Sequence, residues 1–209
     1  SMGRNAGWRT AAAALAKTEE HVGPYLIYVP EVAFDEEQFL DEAKTLYKKY
    51  GGVVVVASEG LRTKTGDPIV KPIFQVGRSV YYGDVSAHLC NLVIQKLGIK
   101  ARSEKPGILG RCSIAFQSEV DCEEAILVGK EAVKAMLEGK SEVMVGFERI
   151  SSKPYLCKPI LIPLEEVMLH ERTLPAEYIR DVGRIDDSYL TWCKPLLGRA
   201  LPSFPKRGV

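Results

Sequence analysis

The chain alternates between segments whose apolar residues recur at helical spacing and short runs that are apolar throughout. Ala6 to Lys17 is rich in alanine, the strongest helix former, and predicts a first helix. Pro24 to Val29 (PYLIYV) is a short apolar, aromatic run that stops at Pro30, as a buried strand does. Asp35, with Gln38 three residues on, has the form of a capping box. Phe39, Leu40, Ala43, Leu46, Tyr47 and Tyr50 then recur at helical spacing until Gly51-Gly52 stops the helix. Four valines, Val53 to Val56, follow without polar alternation, as in strands covered on both faces, and such strands belong to parallel sheets of α/β folds.

The rhythm repeats. Asp84 is the expected cap of a helix carrying Leu89, Leu92, Val93 and Leu97 up to Gly98, which leads into a strand over Ile99 to Arg102. Asp121 is the expected cap of a third helix, with Ala125, Val128, Ala132, Val133, Met136 and Leu137 as its apolar positions and Gly139 as its end; Val143 to Phe147 reads as the next strand. Alternation of this kind predicts an α/β fold, a three-layer sandwich with a mostly parallel sheet flanked by helices. Beyond Lys153 the pattern loosens into segments punctuated by Pro154, Pro159, Pro163, Pro175, Pro195, Pro202 and Pro205, with one helix from Asp187 to Cys193, and predicts a tail that wraps the body.

Composition removes several function classes. The 209 residues include 28 Lys and Arg against 27 Asp and Glu, and 46% are hydrophobic, the profile of a soluble globular protein. A net charge of +1 supplies no field to draw nucleic acid or an acidic membrane. The longest apolar stretches, Val53–Ala57 and Ala11–Ala16, fall far short of the roughly 20 residues that cross a bilayer, so no membrane span is expected. The polar start, Ser1-Met2-Gly3-Arg4-Asn5, is unlike a signal peptide and unlike a natural beginning: either Ser1-Met2 is a cloning scar or the chain has been cut from something longer. Cys90, Cys112, Cys122, Cys157 and Cys193 form no C-x-x-C pair, which predicts a reduced, cytoplasmic protein. His21, His88 and His170 share no ligand spacing with them, so no zinc site is expected.

In open α/β sheets ligands bind beyond the carboxyl ends of the strands. Ser58-Glu59-Gly60 follows the valine run and puts a carboxylate there, suited to a hydroxyl-rich ligand; a solvated turn residue fits the position as well. Arg102 to Arg111 (RSEKPGILGR) carries Arg102, Lys105 and Arg111 around a Pro-Gly turn and could grip a phosphoryl group, although such residues are most often solvated surface. Met2 to Gly7, ahead of the first helix, could cradle a phosphate or a sugar. The chain has no G-x-x-x-x-G-K-[ST], G-x-G-x-x-G or G-x-S-x-G motif.

In this order these segments resemble the phosphofructokinase family over nearly the whole chain. Met2-Gly3-Arg4-Asn5-Ala6-Gly7-Trp8 resembles the family's M-G-R signature, Leu26 to Glu31 its strand ending in Pro-Glu, and Val53 to Gly60 its strand carrying the substrate-binding glutamate. Lys105 to Arg111 resembles its P-G-x-x-Q-R or G-H-x-Q-R segment, Asp121 to Gly139 its D-x-E-E-A…V-G-x-x-A-V helix, and Val143 to Gly146 the M-V-G strand after it. The resemblance implies that Met2, Gly3 and Arg4 contact a sugar phosphate, with Arg4 also stabilising charge on the phosphoryl group in transit. It implies that Glu59 binds hydroxyls of fructose 6-phosphate and that Arg102 and Arg111 bind its phosphate, Arg102 across a subunit interface of a homodimer or homotetramer. Two positions depart from the pattern. Ile108 stands where much of the family has a histidine, tyrosine or threonine, and Gly110 where glutamine is usual, so neither side chain can hydrogen-bond the sugar phosphate.

The family's donor loops, its G-G-D-type motif and its T-[IV]-D-N-D segment with the base aspartate do not occur in this sequence. Phosphoryl transfer rests on positioning and charge neutralisation, so the resemblance implies an incomplete, acceptor-binding part that is inactive alone and has no metal site of its own. It divides the chain into a sugar-phosphate-binding portion (1–110), a helix and strand returning to the donor domain (111–150) and a C-terminal extension (151–209). The complete enzyme would transfer a phosphoryl group to the 1-hydroxyl of fructose 6-phosphate with Mg²⁺. Leu174 to Ile179, Lys194 to Gly198, Leu201-Pro202 and the K-P-G form of the arginine loop resemble the pyrophosphate-dependent branch. ATP as donor, or a non-catalytic sugar-phosphate-binding subunit, are the alternatives.

Overall fold

The computed structural model describes residues 1–17, 23, 25–77 and 79–200, and of Arg111 the backbone alone. His21, Pro24, Leu201, Pro202 and Pro205 lie outside the described residues. The strands are β1 (Leu26–Tyr28), β2 (Val55–Ala57), β3 (Pro72–Val76), β4 (Ser79–Tyr82), β5 (Val143–Ser152), β6 (Tyr155–Pro163), β7 (Ile179–Asp181) and β8 (Arg184–Ile185). They pair two by two: β1 with β2 in parallel, from Leu26 opposite Val55 to Tyr28 opposite Ala57, and the other three pairs antiparallel. The helices are α1 (Trp8–Ala11), α2 (Glu36–Tyr50), α3 (Val85–Leu97), α4 (Leu109–Cys112), α5 (Glu119–Leu137), α6 (Leu164–Val167) and α7 (Asp187–Cys193). Mixed helix and strand around a parallel pair make this an α/β chain. It divides into two compact units, Ser1–Leu109 with Thr173–Leu190, and Gly110–Arg172 with the described residues from Thr191 on.

The core of the first unit lies between the β1–β2 pair and helices α2 and α3. Leu26, Tyr28, Phe34, Phe39, Leu61, Val70, Val85, Leu89 and Leu92 are buried together. Within it Tyr28, Phe34 and Phe39 form a triangle with centroids 5.5–5.7 Å apart, two of its sides edge-on, the geometry ring quadrupoles favour. Burial, then the neighbouring Glu42 carboxylate, raise the Tyr28 phenol well above its ordinary range, so it stays neutral there. Asp35 caps α2 by accepting from the Gln38 amide (3.1 Å), Glu36 and Glu37 occupy the first turn and Lys48 and Lys49 the last, and Gly51 ends the helix. Only half of the expected capping box forms, because the Gln38 side chain reaches forward to Glu42 Oε1 (3.0 Å). Asp84 caps α3 through the Ser86 and Ala87 amides, and Gly98 stops it, as expected.

Residues from the C-terminal region complete this unit. The Ile27 amide donates to the Gly183 carbonyl (2.9 Å) across the outer edge of β1. Tyr189, 1% exposed, donates its hydroxyl to the Trp8 carbonyl (2.5 Å), and the rings of Trp8, Tyr178 and Tyr189 cluster around that bond.

Several expectations are corrected. The first helix is one α-turn followed by 3₁₀ turns over Ala12–Ala16, since Gly7 offers no side-chain cap to set a longer one. The valine run is not covered on both faces: β2 is half-buried and Val54 is 56% exposed, because among the described residues β1 is its sole strand neighbour. Ile99 to Arg102 is no strand; it has no ladder partner among the described residues. Ser118, not Asp121, caps α5, accepting from the Asp121 amide (3.2 Å); Ser-x-x-Asp is itself a capping signal, one turn earlier. The segment directly after Lys153 is not loose, since Tyr155–Pro163 (β6) pairs with β5 along nearly its whole length, through a turn with a cis Lys153–Pro154 bond. In the second unit α5 exposes Ile126, Val133, Met136 and Leu137.

Removing the central ring, Phe39→Ala, is expected to cost about 3–5 kcal/mol, read as a lower urea midpoint; an unchanged midpoint would remove the aromatic triangle from its central place. The Lys64 ammonium, then the Gln38 amide, hold the Asp35 carboxyl below its ordinary range. A carboxyl depressed by folding stabilises above its unfolded pKa and loses that contribution as the pH falls through the folded value. Below about pH 4 the protein should therefore lose melting temperature more steeply than Asp35→Asn, which keeps a capping oxygen without the charge; parallel acid curves would refute this.

Candidate functional site

The carboxyl end of β2 is held against the first residues of the chain by a ladder of short bonds. Ser1 N donates to the Ala57 carbonyl (2.6 Å) and the Glu59 amide to the Ser1 carbonyl (2.9 Å). Ser58, fully buried, donates its amide to the Tyr28 carbonyl (2.9 Å) and its hydroxyl to the Gly3 carbonyl (2.8 Å), and its hydroxyl accepts from the Gly60 amide (3.1 Å). Glu59 Oε1 accepts from the Gly3 amide (3.3 Å).

This approach depends on missing side chains. A Cβ on Gly60 would stand 1.6 Å from the Arg4 carbonyl oxygen, inside any contact distance. Gly3 turns with φ +120°, and a Cβ there would meet the Ala6 carbonyl at 2.6 Å. Met2-Gly3-Arg4 and Ser58-Glu59-Gly60 therefore lock as two backbones in contact, and Glu59 and Arg4, far apart in sequence and opposite in charge, both leave from that lock.

Arg4 is directed by β4: its guanidinium donates to the Val80 carbonyl (3.2 Å) and lies over the Tyr82 ring, 5.5 Å from the centroid. Two residues beyond Tyr82, Asp84 begins α3, and its second carboxylate oxygen lies 3.7 Å from Lys105 Nζ. Burial lowers the pKa of the Ser1 amino group, which also senses Glu59, Asp84 and Lys105. These four groups thus share one electrostatic neighbourhood.

Of the expected site residues, Met2, Gly3, Arg4 and Glu59 come together. Arg102 and Ile108 belong to the same unit, on the exposed run after α3, with Ile108 71% exposed. Arg111 lies in α4 of the second unit, and its side chain is outside the described residues. Sequence reasoning missed Ser58 and Glu31. Glu31 Oε1 accepts from both the Gly7 amide and the Leu174 amide, each at 2.7 Å, tying the end of β1 to the start of α1. A polar residue directly after an apolar run is the signal both carry. Among the described residues no group of three His, Cys, Asp or Glu side chains could hold a metal, so the magnesium implied by resemblance finds no ligand set in them. No helix among them is long and apolar enough to cross a membrane.

A family model described as Phosphofructokinase matches residues 1–136. Pyrophosphate–fructose 6-phosphate 1-phosphotransferase of Rhodospirillum rubrum is 34% identical over 211 residues, covering 96% of this chain and 52% of the relative. Sulfofructose kinase of Alkalicoccus urumqiensis is 35% identical over 182 residues, covering 87% of this chain and 47% of that protein. The crystal structure of pyrophosphate-dependent phosphofructokinase from Marinobacter aquaeolei superimposes with a TM-score of 0.79 at 34% identity, over 98% of this chain and 48% of the other. The chain spans about half the length of the curated relatives it matches. With the family model covering most of its length and its fold shared with a solved phosphofructokinase, the chain belongs to the phosphofructokinase family.

Proposed function

We propose that this chain forms the acceptor-binding part of a pyrophosphate-dependent 6-phosphofructokinase, which transfers a phosphoryl group from pyrophosphate to the 1-hydroxyl of fructose 6-phosphate. The observation that supports it most is the lock that sets Arg4 and Glu59 together at the carboxyl end of β2. Glu59, half-buried and steadied by the Gly3 amide, has an oxygen left to accept from sugar hydroxyls. Met2 and Gly3 frame the sugar phosphate, and Arg4 faces the phosphoryl group in transit. Arg102, reaching across a subunit interface of a homodimer or homotetramer, and Arg111 complete the hold on the sugar's phosphate. In this reading residues 1–110 bind the sugar phosphate, 111–150 return to the donor domain and 151–209 extend around the body, in a cytoplasmic enzyme.

In the reaction the 1-hydroxyl oxygen forms a bond to one phosphorus of pyrophosphate, the bridging P–O bond breaks, and orthophosphate departs with the bonding pair. The hydroxyl proton passes to a base that is not among the residues assigned here. Arg4 acts where negative charge gathers on the moving group, and positioning supplies most of the remainder. Pyrophosphate is preferred to ATP because relatives that match nearly all of this chain are named for it.

One observation favours a second acceptor. Ile108 and Gly110 offer no side-chain donor to the sugar's anionic group, and the Alkalicoccus relative is named for a sulfonated fructose.

The purified protein carrying this chain is expected to phosphorylate fructose 6-phosphate with pyrophosphate; turnover with ATP alone overturns the donor, and use of sulfofructose in preference overturns the acceptor. Glu59→Gln, which keeps an acceptor for the Gly3 amide, should lower kcat/KM for fructose 6-phosphate about tenfold or more without changing the KM for pyrophosphate. Gly60→Ala should raise the KM for fructose 6-phosphate by forcing Arg4 away; unchanged kinetics in both variants would sink the assignment.

A further inference from the structure

The guanidinium of Arg4 is held by groups that carry no net charge. Its Nη1 donates to the Val80 carbonyl (3.2 Å), and its carbon lies 5.5 Å from the centroid of the Tyr82 ring, whose π face attracts a cation. Among the described residues Arg4 forms no ion pair. A carboxylate in the place of the ring would also hold the arginine, but it would cancel the charge that a phosphoryl group in transit needs beside it. The bond to Val80 takes one arm of the guanidinium fork, and the other N–H groups remain for the oxygens of a ligand.

Tyr82 is well placed to fix that position. Exposure alternates along β4, with Ser79 and Tyr81 outward and Val80 and Tyr82 half-buried. Tyr82 accordingly packs against the core of the first unit, while Tyr81 lies outside on Phe74, with 6.0 Å between ring centroids. The ribbon is pinned where Tyr82 stands: the Gly83 amide donates to the Lys71 carbonyl (3.1 Å), and Val70 and Val85 enter the core on either side. The far part of the ribbon is open, all five residues of β3 being exposed. Arg4 is therefore fixed twice, its main chain by the lock against Gly60 and its guanidinium by the anchored end of β4.

We infer that Tyr82 is a positioning residue for phosphoryl transfer: its ring keeps the Arg4 guanidinium, fully charged, where the phosphoryl group passes, and so governs kcat rather than sugar binding. This rests on the phosphotransferase reading above and adds to it the residue that places its cation. Loss of the ring frees the guanidinium alone, whereas Gly60→Ala moves the Arg4 main chain with Gly3 beside it and thereby reaches the sugar. The two changes fall on different kinetic constants.

The test uses the full protein carrying this chain, with fructose 6-phosphate and pyrophosphate as substrates. Tyr82→Phe, which keeps the ring, should leave kcat within about twofold, whereas Tyr82→Leu should lower it about fivefold and leave both Michaelis constants within about twofold. Because Tyr82→Leu also disturbs packing, phenylalanines carrying one, two and three fluorines at position 82 separate the two roles. They keep the shape of the ring while withdrawing charge from its face, so kcat should fall stepwise with each fluorine at an unchanged melting temperature. In an Arg4→Met background the same series should have no effect. A flat fluorine series, or a rise in KM for fructose 6-phosphate with kcat unchanged, overturns the inference. If the wild-type protein transfers no phosphoryl group to fructose 6-phosphate, the phosphotransferase reading fails separately. The ring current then decides for Tyr82: Arg4 side-chain proton resonances shifted upfield in wild type and Tyr82→Phe but not in Tyr82→Leu support the contact, and equal positions in all three refute it.

Discussion

The contact on which the site depends is the one between the backbone of Gly60 and the carbonyl of Arg4. No side chain can occupy that space, and the Ser58 hydroxyl beside it closes the gap from both directions, donating to Gly3 and accepting from Gly60. Each such bond contributes about 1 kcal/mol net, but breaking one would strand a buried polar atom at about 1–3 kcal/mol. The lock is therefore strongly favoured to be whole. Because it fixes main chain, it sets where Glu59 and Arg4 begin, and their side chains need little further guidance: one hydrogen bond for the carboxylate, one ring and one carbonyl for the guanidinium.

Such a lock is useful only if the two segments it joins are themselves anchored. β2 is anchored through β1, whose Tyr28 is one corner of the aromatic triangle, and Ser58 continues the ladder by donating its amide to the Tyr28 carbonyl. The first segment is anchored by Glu31, which receives the Gly7 amide, and by Tyr189, which bonds the Trp8 carbonyl from the far end of the sequence. Glu31 also receives Leu174, a residue 143 positions away, so one carboxylate oxygen joins three stretches of chain. A site assembled from sequence-distant pieces is precise only where such junctions sit below it.

Helices with strong end signals were legible from the sequence, because capping is a local bargain between a side chain and the next turn. Asp35 with Gly51, Asp84 with Gly98, and Gly139 after α5 all act as their chemistry dictates. Strands were less legible because a strand is defined by its partner. Ile99 to Arg102 has strand-like composition and, among the described residues, no neighbour to pair with, whereas Tyr155 to Pro163, with Pro159 in its interior, pairs with β5. The candidate site was legible in part for the same reason. Glu59 and Met2 to Arg4 could be singled out by position and resemblance, but nothing local says that Ser58 bonds Gly3 or that Asp84 faces Lys105, contacts that exist only once the chain has folded.

The charge balance of the chain acquires a physical meaning at the site. Lys105 stands against Asp84, whereas the Arg4 guanidinium meets the Val80 carbonyl and the Tyr82 ring, so one of the two cations is paired with a carboxylate and the other with neutral groups. Neutral pairing has a consequence that bulk charge conceals. A cation with no carboxylate near it would attract any passing anion, whereas one already paired yields only to a ligand that offers a denser negative charge or more bonds than the carboxylate does. A phosphate dianion meets that condition and a lone hydroxyl does not. In the acceptor reading Glu59 therefore serves the neutral hydroxyls of the sugar, and the Arg4 guanidinium, held by a carbonyl and a ring rather than by a carboxylate, stays available to an anion.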